Sequence, residues 1–327
     1  MAQQKPQFTQ YIQNQFIINP AITGIENYID VRLSHRHQWV GITDGPVTTY
    51  FSAHGPIGKK DYRTTATSYN MQGVNPRGRA YWEQYEAARP HSGIGIQLIN
   101  DRTGPLNRSE AYLTYAYHLG LTPKTSLAAG FGAGIYQMNV DVDRLTNLTS
   151  AELAQALEIV NKSGQFNTIK PDFNAGLYLY SSDFFVGLSA QQIIPQQVTS
   201  STGSLSMADS GSLPYLFLSG GYRFLMNEDF NVIPSVMLKY LGPLRMWQVE
   251  ANAKFQYHDL AWVGVSYRNQ FGFAAMLGLN ISNKLNIGYS YDYTTSALNT
   301  FAKGTHEIVI GFLLKNTYGD SCPKNVW

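Results

Sequence analysis

Charge is scarce in this sequence. Asp, Glu, Lys and Arg make up only 14% of its 327 residues, against roughly 25% in a typical soluble domain. A surface built mainly of solvated charge is therefore excluded. Cysteine is scarcer still. Cys322 stands alone, so an intramolecular disulfide is excluded, and no Cys or His cluster has zinc-site spacing. No apolar run reaches about 18 residues, the least that a membrane-spanning helix needs. A net charge of +2 offers no field for gripping a phosphate backbone, so no nucleic-acid partner is expected.

What is present is aromatic and alternating. Aromatics reach 13%, with 22 Tyr, beside 29 Gly. In "KLNIGYSYDYT" (284–294), Leu285, Ile287, Tyr289, Tyr291 and Tyr293 fall on one face of a strand. Asn286, Gly288, Ser290, Asp292 and Thr294 fall on the other, because successive side chains in a strand point to opposite faces. "MWQVEANAKFQY" (246–257) repeats the pattern, setting Glu250 and Lys254 among the hydrophilic positions. A Lys facing lipid at mid-membrane costs about 2–4 kcal/mol, so if this strand spans a bilayer, Glu250, Lys254 and Asp292 face a lumen. A soluble sandwich would bury each apolar face against a second sheet and leave so many inward polar residues without a place.

Fourteen segments read as strands: 27–36, 46–56, 92–100, 110–119, 126–139, 172–180, 183–191, 214–225, 229–240, 246–257, 260–268, 271–281, 284–294 and 306–315. Most match a tilted spanning strand of about 9–11 residues, and an even number suits a single-chain bacterial barrel. The reading is an all-β transmembrane antiparallel β-barrel over 27–315, preceded by an N-terminal plug or periplasmic segment (1–26) and followed by a periplasmic tail (316–327). Such barrels have short periplasmic turns and longer outer loops. The even-to-odd connections "SSD", "MNED", "HD" and "SNK" are tight, whereas 140–171, 192–213 and 295–305 are long and polar. One connector breaks the rhythm: 57–91 lies on the short-turn side yet is long and basic, with Arg77, Arg79, Arg89 and a helix-like "GRAYWEQYEAAR" around Trp82. Docking to something below the membrane would explain its length.

The opening "MAQQKPQFTQ" is polar at once and lacks the regions of an export signal. A barrel therefore implies a mature form whose signal peptide has been removed, in the outer membrane of a Gram-negative bacterium. The next stretch, "KPQFTQYIQNQFIINPAITG", is too apolar for a free tail. Phe8 and Tyr11 are its aromatic anchors, and Asn19-Pro20 followed by Gly24 reads as a turn. It either fills the lumen or docks a partner at the periplasmic mouth.

On the outer side, candidate partner-facing residues are Asp101, Arg102 and Pro105 in a loop spanning 101–109, and Leu298 and Phe301 in "TTSALNTFAKGT". Leu153 and Leu157 belong to "TSAELAQALEIVNK", where Thr149 and Glu152 form a capping box; the helix either covers the mouth or binds a partner. Catalytic chemistry is thin. His35 and His37 share one side of a strand without a third ligand. Ser52 and His54 share a face without a flanking acid, and a triad is recognised by geometry rather than spacing. Asp141 and Asp143 form a lone acidic pair, and no nucleotide fingerprint or HExxH is present. No enzyme, cofactor or metal is expected.

Six stretches, in order, carry a resemblance: "PQFTQYIQNQFIINPAITG", "RHQWVGITDGPVTTYFSAHGPI", "GIGIQLINDRTGPLNRSEAYLTYAYHL", "VGVSYRN", "IGYSYDYTTSALN" and "GTHEIVIGF". Together with the terminal "SCPKNVW", they resemble the PorP/SprF family of the type IX secretion system. The resemblance covers nearly the whole chain; the long 57–91 connector departs from it. It implies an outer-membrane barrel needed for export or surface attachment of adhesin-like cargo carrying a C-terminal sorting domain, in a setting that includes gliding motility. The implied partners are that cargo, the translocon, components of its periplasmic ring and outer-membrane lipid. Two other classes stay open: a diffusion channel or hydrophobic-ligand transporter, and a barrel-embedded hydrolase using Ser52 and His54.

Overall fold

The computed structural model describes residues 7–59, 87–140, 167–194, 214–227, 229–241, 246–258, 260–269, 271–282, 284–295 and 303–316. Its strands are β1 (Ile29–His37), β2 (Val47–Ile57), β3 (His91–Thr103), β4 (Leu106–Thr122), β5 (Thr125–Val140), β6 (Asn167–Tyr180), β7 (Phe184–Gln191) and β8 (Tyr215–Tyr222). They continue as β9 (Phe224–Leu225), β10 (Phe230–Leu241), β11 (Met246–Tyr257), β12 (Ala261–Arg268), β13 (Gly272–Ser282), β14 (Leu285–Thr294) and β15 (Thr305–Leu314). β8 and β9 are two pieces of one strand, since both pair with β10. The ladder breaks between them at Arg223, whose N–H donates to the carbonyl of Asp183 at 2.7 Å.

Each strand pairs antiparallel with its neighbours, and the β15–β1 ladder, from Ile29↔Leu314 to His37↔His306, shuts the sheet into a closed ring. The result is a 14-stranded antiparallel barrel. Closure removes every open edge, the condition for a sheet to cross hydrocarbon.

Alternation sorts the residues as a bilayer demands. On β12 and β13, Val263, Val265, Leu277 and Leu279 are each about half exposed, and they face outward. Their neighbours Ser266 and Met276 are buried. Aromatic pairs mark two levels on the outer wall. Tyr240 and Trp247 pack at 4.4 Å near one end, Phe230 and Tyr257 at 4.9 Å near the other. Residues 230 and 240 lie ten positions apart on one strand. At about 3.3 Å per residue and a tilt of about 40°, that separation is about 25 Å, the height of the apolar band in such barrels.

The turns at 123–124 and 181–183 lie at one end, with the beginning of β1 and the end of β15. By the rule of short periplasmic turns, this is the periplasmic end. The region 101–109 differs from its expectation. It is the top of a hairpin, with β3 running to Thr103 and β4 starting at Leu106 around Gly104-Pro105. Asp101 and Arg102 are therefore strand residues and only Pro105 is in a turn. Asp101 moreover faces inward, buried, and accepts a 2.6 Å hydrogen bond from Thr48 Oγ1. Arg102 is exposed on the outer face.

Candidate functional site

A 14-stranded ring is too wide for wall side chains alone to fill, since about eight strands already give an interior just wide enough for them. Residues 7–28 occupy the space. Three short 3-10 turns, Thr9–Ile12, Gln15–Ile17 and Pro20–Ile22, carry the chain among the inward-facing side chains. Phe8, Tyr11, Phe16, Ile17 and Ile25 are all buried. Phe8 packs edge-on against Tyr50 at 5.4 Å, and Tyr11 accepts a hydrogen bond from Asn252 Nδ2.

The turn Asn19–Gly24 seats on the wall itself. Asn19 caps the third 3-10 turn by accepting from the N–H of Ala21 at 2.9 Å, and its amide donates to the carbonyl of Leu177 at 3.0 Å. Pro20 at the first helical position supplies a fixed φ and needs no donor there. The wall approaches closely because it lacks side chains at the contact. A Cβ on Gly130 would lie 2.5 Å from the Pro20 carbonyl oxygen, and one on Gly93 only 2.0 Å from that of Thr23. Gly24, with φ +80°, lies against Gly93. The carbonyls of Phe16, Ile17 and Ile18 are taken by Gln97, Gln191 and Ser189 at 2.6, 2.9 and 2.6 Å. These bonds satisfy backbone groups that would otherwise be buried without partners.

A charged cluster holds the other end of the segment. Arg36 on β1 pairs with Glu307 on β15 at 2.9 Å and with Asp292 on β14 at 2.7 Å. Thr9 sits between them: its N–H donates to Glu307 at 2.8 Å, its hydroxyl donates to Asp292 at 2.7 Å, and it accepts from Arg36 at 2.8 Å. Arg268 pairs with Glu250 at 2.8 Å and donates to Gln7 Oε1 at 3.0 Å. Every charge here has a partner, as burial of ions requires.

Toward the periplasmic end the packing loosens. A polar cavity of about 70 Å³ separates the segment from β11–β14, with Gln13, Glu26, Gln256 and Trp262 in its lining. Lys254 also lines it and lies 5.1 Å over the Trp262 ring. Burial pushes the Glu26 carboxyl up to about 8, reinforced by the negative charge of Asp30.

The structure gathers Phe8, Tyr11, Asn19, Pro20, Gly24, Glu250, Lys254 and Asp292 into this one interior. Ser52 and His54 belong to it too, engaged by the segment: Ser52 Oγ accepts from Asn14 at 2.9 Å and His54 Nδ1 from the N–H of Gly24 at 3.1 Å. His35 and His37 lie on the outer wall, His35 bonded to Thr49 at 2.9 Å. Among the described residues, no three His, Cys, Asp or Glu gather as a metal site. Arg77, Trp82, Asp141, Asp143, Leu153, Leu157, Leu298, Phe301 and Cys322 lie outside the described residues. Sequence reasoning missed Thr9, Arg36, Arg268 and Glu307. For the last three the signal was present: each is a charge at an inward position of an alternating strand.

Comparison with curated proteins finds no match. Among solved structures, the chain is similar to the CymD monoaromatic hydrocarbon channel at 13% identity and TM-score 0.47, covering 93% of this chain and 91% of that one. It is similar to the Acinetobacter baumannii outer membrane protein Omp33 at 8% identity and TM-score 0.48, covering 89% and 100%. A third likeness, to the Pseudomonas putida toluene transporter TodX, has 9% identity and TM-score 0.45, covering 93% and 92%. A model of the type IX secretion system membrane protein PorP/SprF family matches residues 1–312, and the chain belongs to that family.

Proposed function

We propose that this barrel serves the type IX secretion system as a receptor and anchor for adhesin-like cargo bearing a C-terminal sorting domain, by binding and not by catalysis. In this reading the chain sits in the outer membrane of a Gram-negative bacterium. Its outer connectors at 140–171, 192–213 and 295–305 hold the cargo. The connector 57–91 and the tail after 315 meet the periplasmic ring. The N-terminal segment acts as a permanent plug.

The observation that carries the reading is the family match over residues 1–312, taken with a lumen filled by the chain's own residues. With residues 7–28 occupying the lumen, the two rims are the surfaces left for a partner in this reading.

The test is affinity capture of envelope proteins on the full-length barrel, with mass spectrometry of what is retained. Capture of a large adhesin with a C-terminal sorting domain, lost when the three outer connectors are shortened together, supports the proposal. Capture that survives the shortening refutes the role of the connectors. Failure to retain any such protein refutes the receptor reading.

A further inference from the structure

One feature of the outer wall has no role in the occupied lumen. Between β1 and β5 the wall is indented by a notch of about 370 Å³, opening outward. Its membrane-side lining is apolar: Leu33, Phe51, Leu98, Ala111 and Ile135. These five are cross-strand neighbours in one row, Leu33↔Phe51↔Leu98↔Ala111↔Ile135. Ala111 is the small member, and the floor of the notch lies where a larger side chain would stand.

The next row outward is polar throughout: His35↔Thr49↔Asn100↔Ser109↔Gln137. Four of these, Thr49, Asn100, Ser109 and Gln137, also line the notch, with the buried Ile99 and Glu110 behind them. Asn100 donates to Ser109 Oγ at 3.0 Å and to Asn107 Oδ1 at 2.9 Å. One row further out, His37 and Arg102 flank Val47. Arg102 is exposed and has no ion pair among the described residues. Side chains on the wall of a membrane barrel face lipid, so this succession meets one lipid lengthwise: hydrocarbon, then hydroxyls, then a cation.

We propose that the notch on the outer face of β1–β5 is a binding site for a phosphorylated glycolipid of the outer leaflet. One acyl chain lies on Ala111 between Leu98 and Ile135. The sugar hydroxyls meet the amides and hydroxyls of the Thr49–Gln137 row, and a phosphate meets Arg102. The position and chemistry of the notch select this occupant. The notch continues the lipid-facing band, and it lies toward the outer end of the barrel. The polar row above it is rich in amides and hydroxyls, suited to sugar, and the guanidinium beyond it, without an ion pair among the described residues, complements a phosphate.

The test is native mass spectrometry of the full-length barrel in detergent, titrated with diphosphorylated lipid A, with dephosphorylated lipid A and with phosphatidylglycerol. The wild-type protein is expected to retain one equivalent of diphosphorylated lipid A in preference to phosphatidylglycerol. Ala111→Trp fills the notch and abolishes that adduct, whereas Ala275→Trp, the same change on lipid-facing β13, leaves it intact. Arg102→Gln weakens the diphosphorylated adduct about tenfold, as loss of one charge-assisted phosphate contact implies, and leaves the dephosphorylated one unchanged. Arg102→Gln changes only an exposed rim residue, so it still decides the matter if Ala111→Trp fails to fold. Equal retention by wild type and by either notch variant overturns the proposal, as does equal binding of lipid A and phosphatidylglycerol.

Discussion

The backbone N–H of Thr9 and the carboxylate of Glu307, 298 positions apart in the chain, meet in a buried hydrogen bond of 2.8 Å. Thr9 belongs to the segment inside the lumen and Glu307 to β15, the last strand. β15 pairs with β1 to close the ring. The contact thus lies beside the seam at which the barrel shuts. Arg36, on the first strand, bridges the same carboxylate at 2.9 Å. The seam of the wall and the seat of the segment therefore share one carboxylate.

Arg36→Gln should therefore loosen both. It leaves Glu307 and Asp292 buried with less positive charge between them, and breaking a buried ion pair from one side costs about 3–5 kcal/mol. Equilibrium urea unfolding in detergent micelles should show a loss of that order. Hydrogen exchange should show faster exchange at residues 9–14 than in β5 or β6. Uniform loss of protection across the barrel would mean that the cluster supports the wall and not the segment.

The glycine contacts predict a different phenotype. A Cβ at Gly130 meets backbone atoms of Pro20 and Ala21 at 2.5–2.6 Å, and backbone cannot swing aside as a side chain can. Gly130→Val should leave the β5 ladder paired and unseat the Asn19–Gly24 turn. In a Cys322→Ser background, a Cys probe at Ala21, a segment residue with 0% exposure against the wall, should resist a water-soluble maleimide with Gly130 intact. It should react at least tenfold faster with Gly130→Val, roughly the effect of 1.4 kcal/mol in an opening equilibrium. Unchanged labelling would show that the wall yields instead.

Much of this architecture is legible in the sequence, for a physical reason. A bilayer outside and polar side chains within impose period-two alternation on each strand, and residues 284–294 carry it without interruption. The hairpin at 101–109 reads as a loop in the sequence because β3 and β4 rise beyond the apolar band. There the outward residues Asn100, Arg102, Asn107 and Ser109 are polar like the inward Asp101, and alternation vanishes although the ladder continues. The aromatic content of 7–28 marked it as a packed segment, but its seating on Gly93 and Gly130 depends on register between strands far apart in sequence. The cluster around Thr9 joins residues from five strands and the segment, a grouping that only the folded ring brings together.

Glu26 makes stability depend on pH. Its carboxyl titrates at about 8 in the fold, raised from 4.5, so the folded protein holds a proton that the unfolded chain releases earlier. Stability from this group is fully present below about pH 4.5 and declines as pH rises toward 8, by about 1.4 kcal/mol per pH unit. Glu26→Gln mimics the protonated form and should flatten the decline. The variant should match wild type in urea unfolding at pH 5 and exceed it at pH 8. An advantage at pH 5 that disappears at pH 8 would reverse the sign and rule out a protonated Glu26.

The final prediction concerns current through the lumen. A ring of this size without its segment would leave an aqueous path, as barrels of about 16 strands do. Here Gln97, Gln191 and Ser189 bind the segment's carbonyls on one side, and Arg36 and Arg268 grip Thr9 and Gln7 on the other. In planar bilayers the wild-type barrel should pass no steady current. The double variant Arg36→Gln with Gly130→Val, which releases the segment at both ends, should show stepwise openings that a synthetic peptide of residues 7–28 suppresses. Steady conductance in the wild type, unchanged in the double variant, would mean that the segment does not seal the lumen. The protein would then be read as a diffusion channel in place of a plugged receptor.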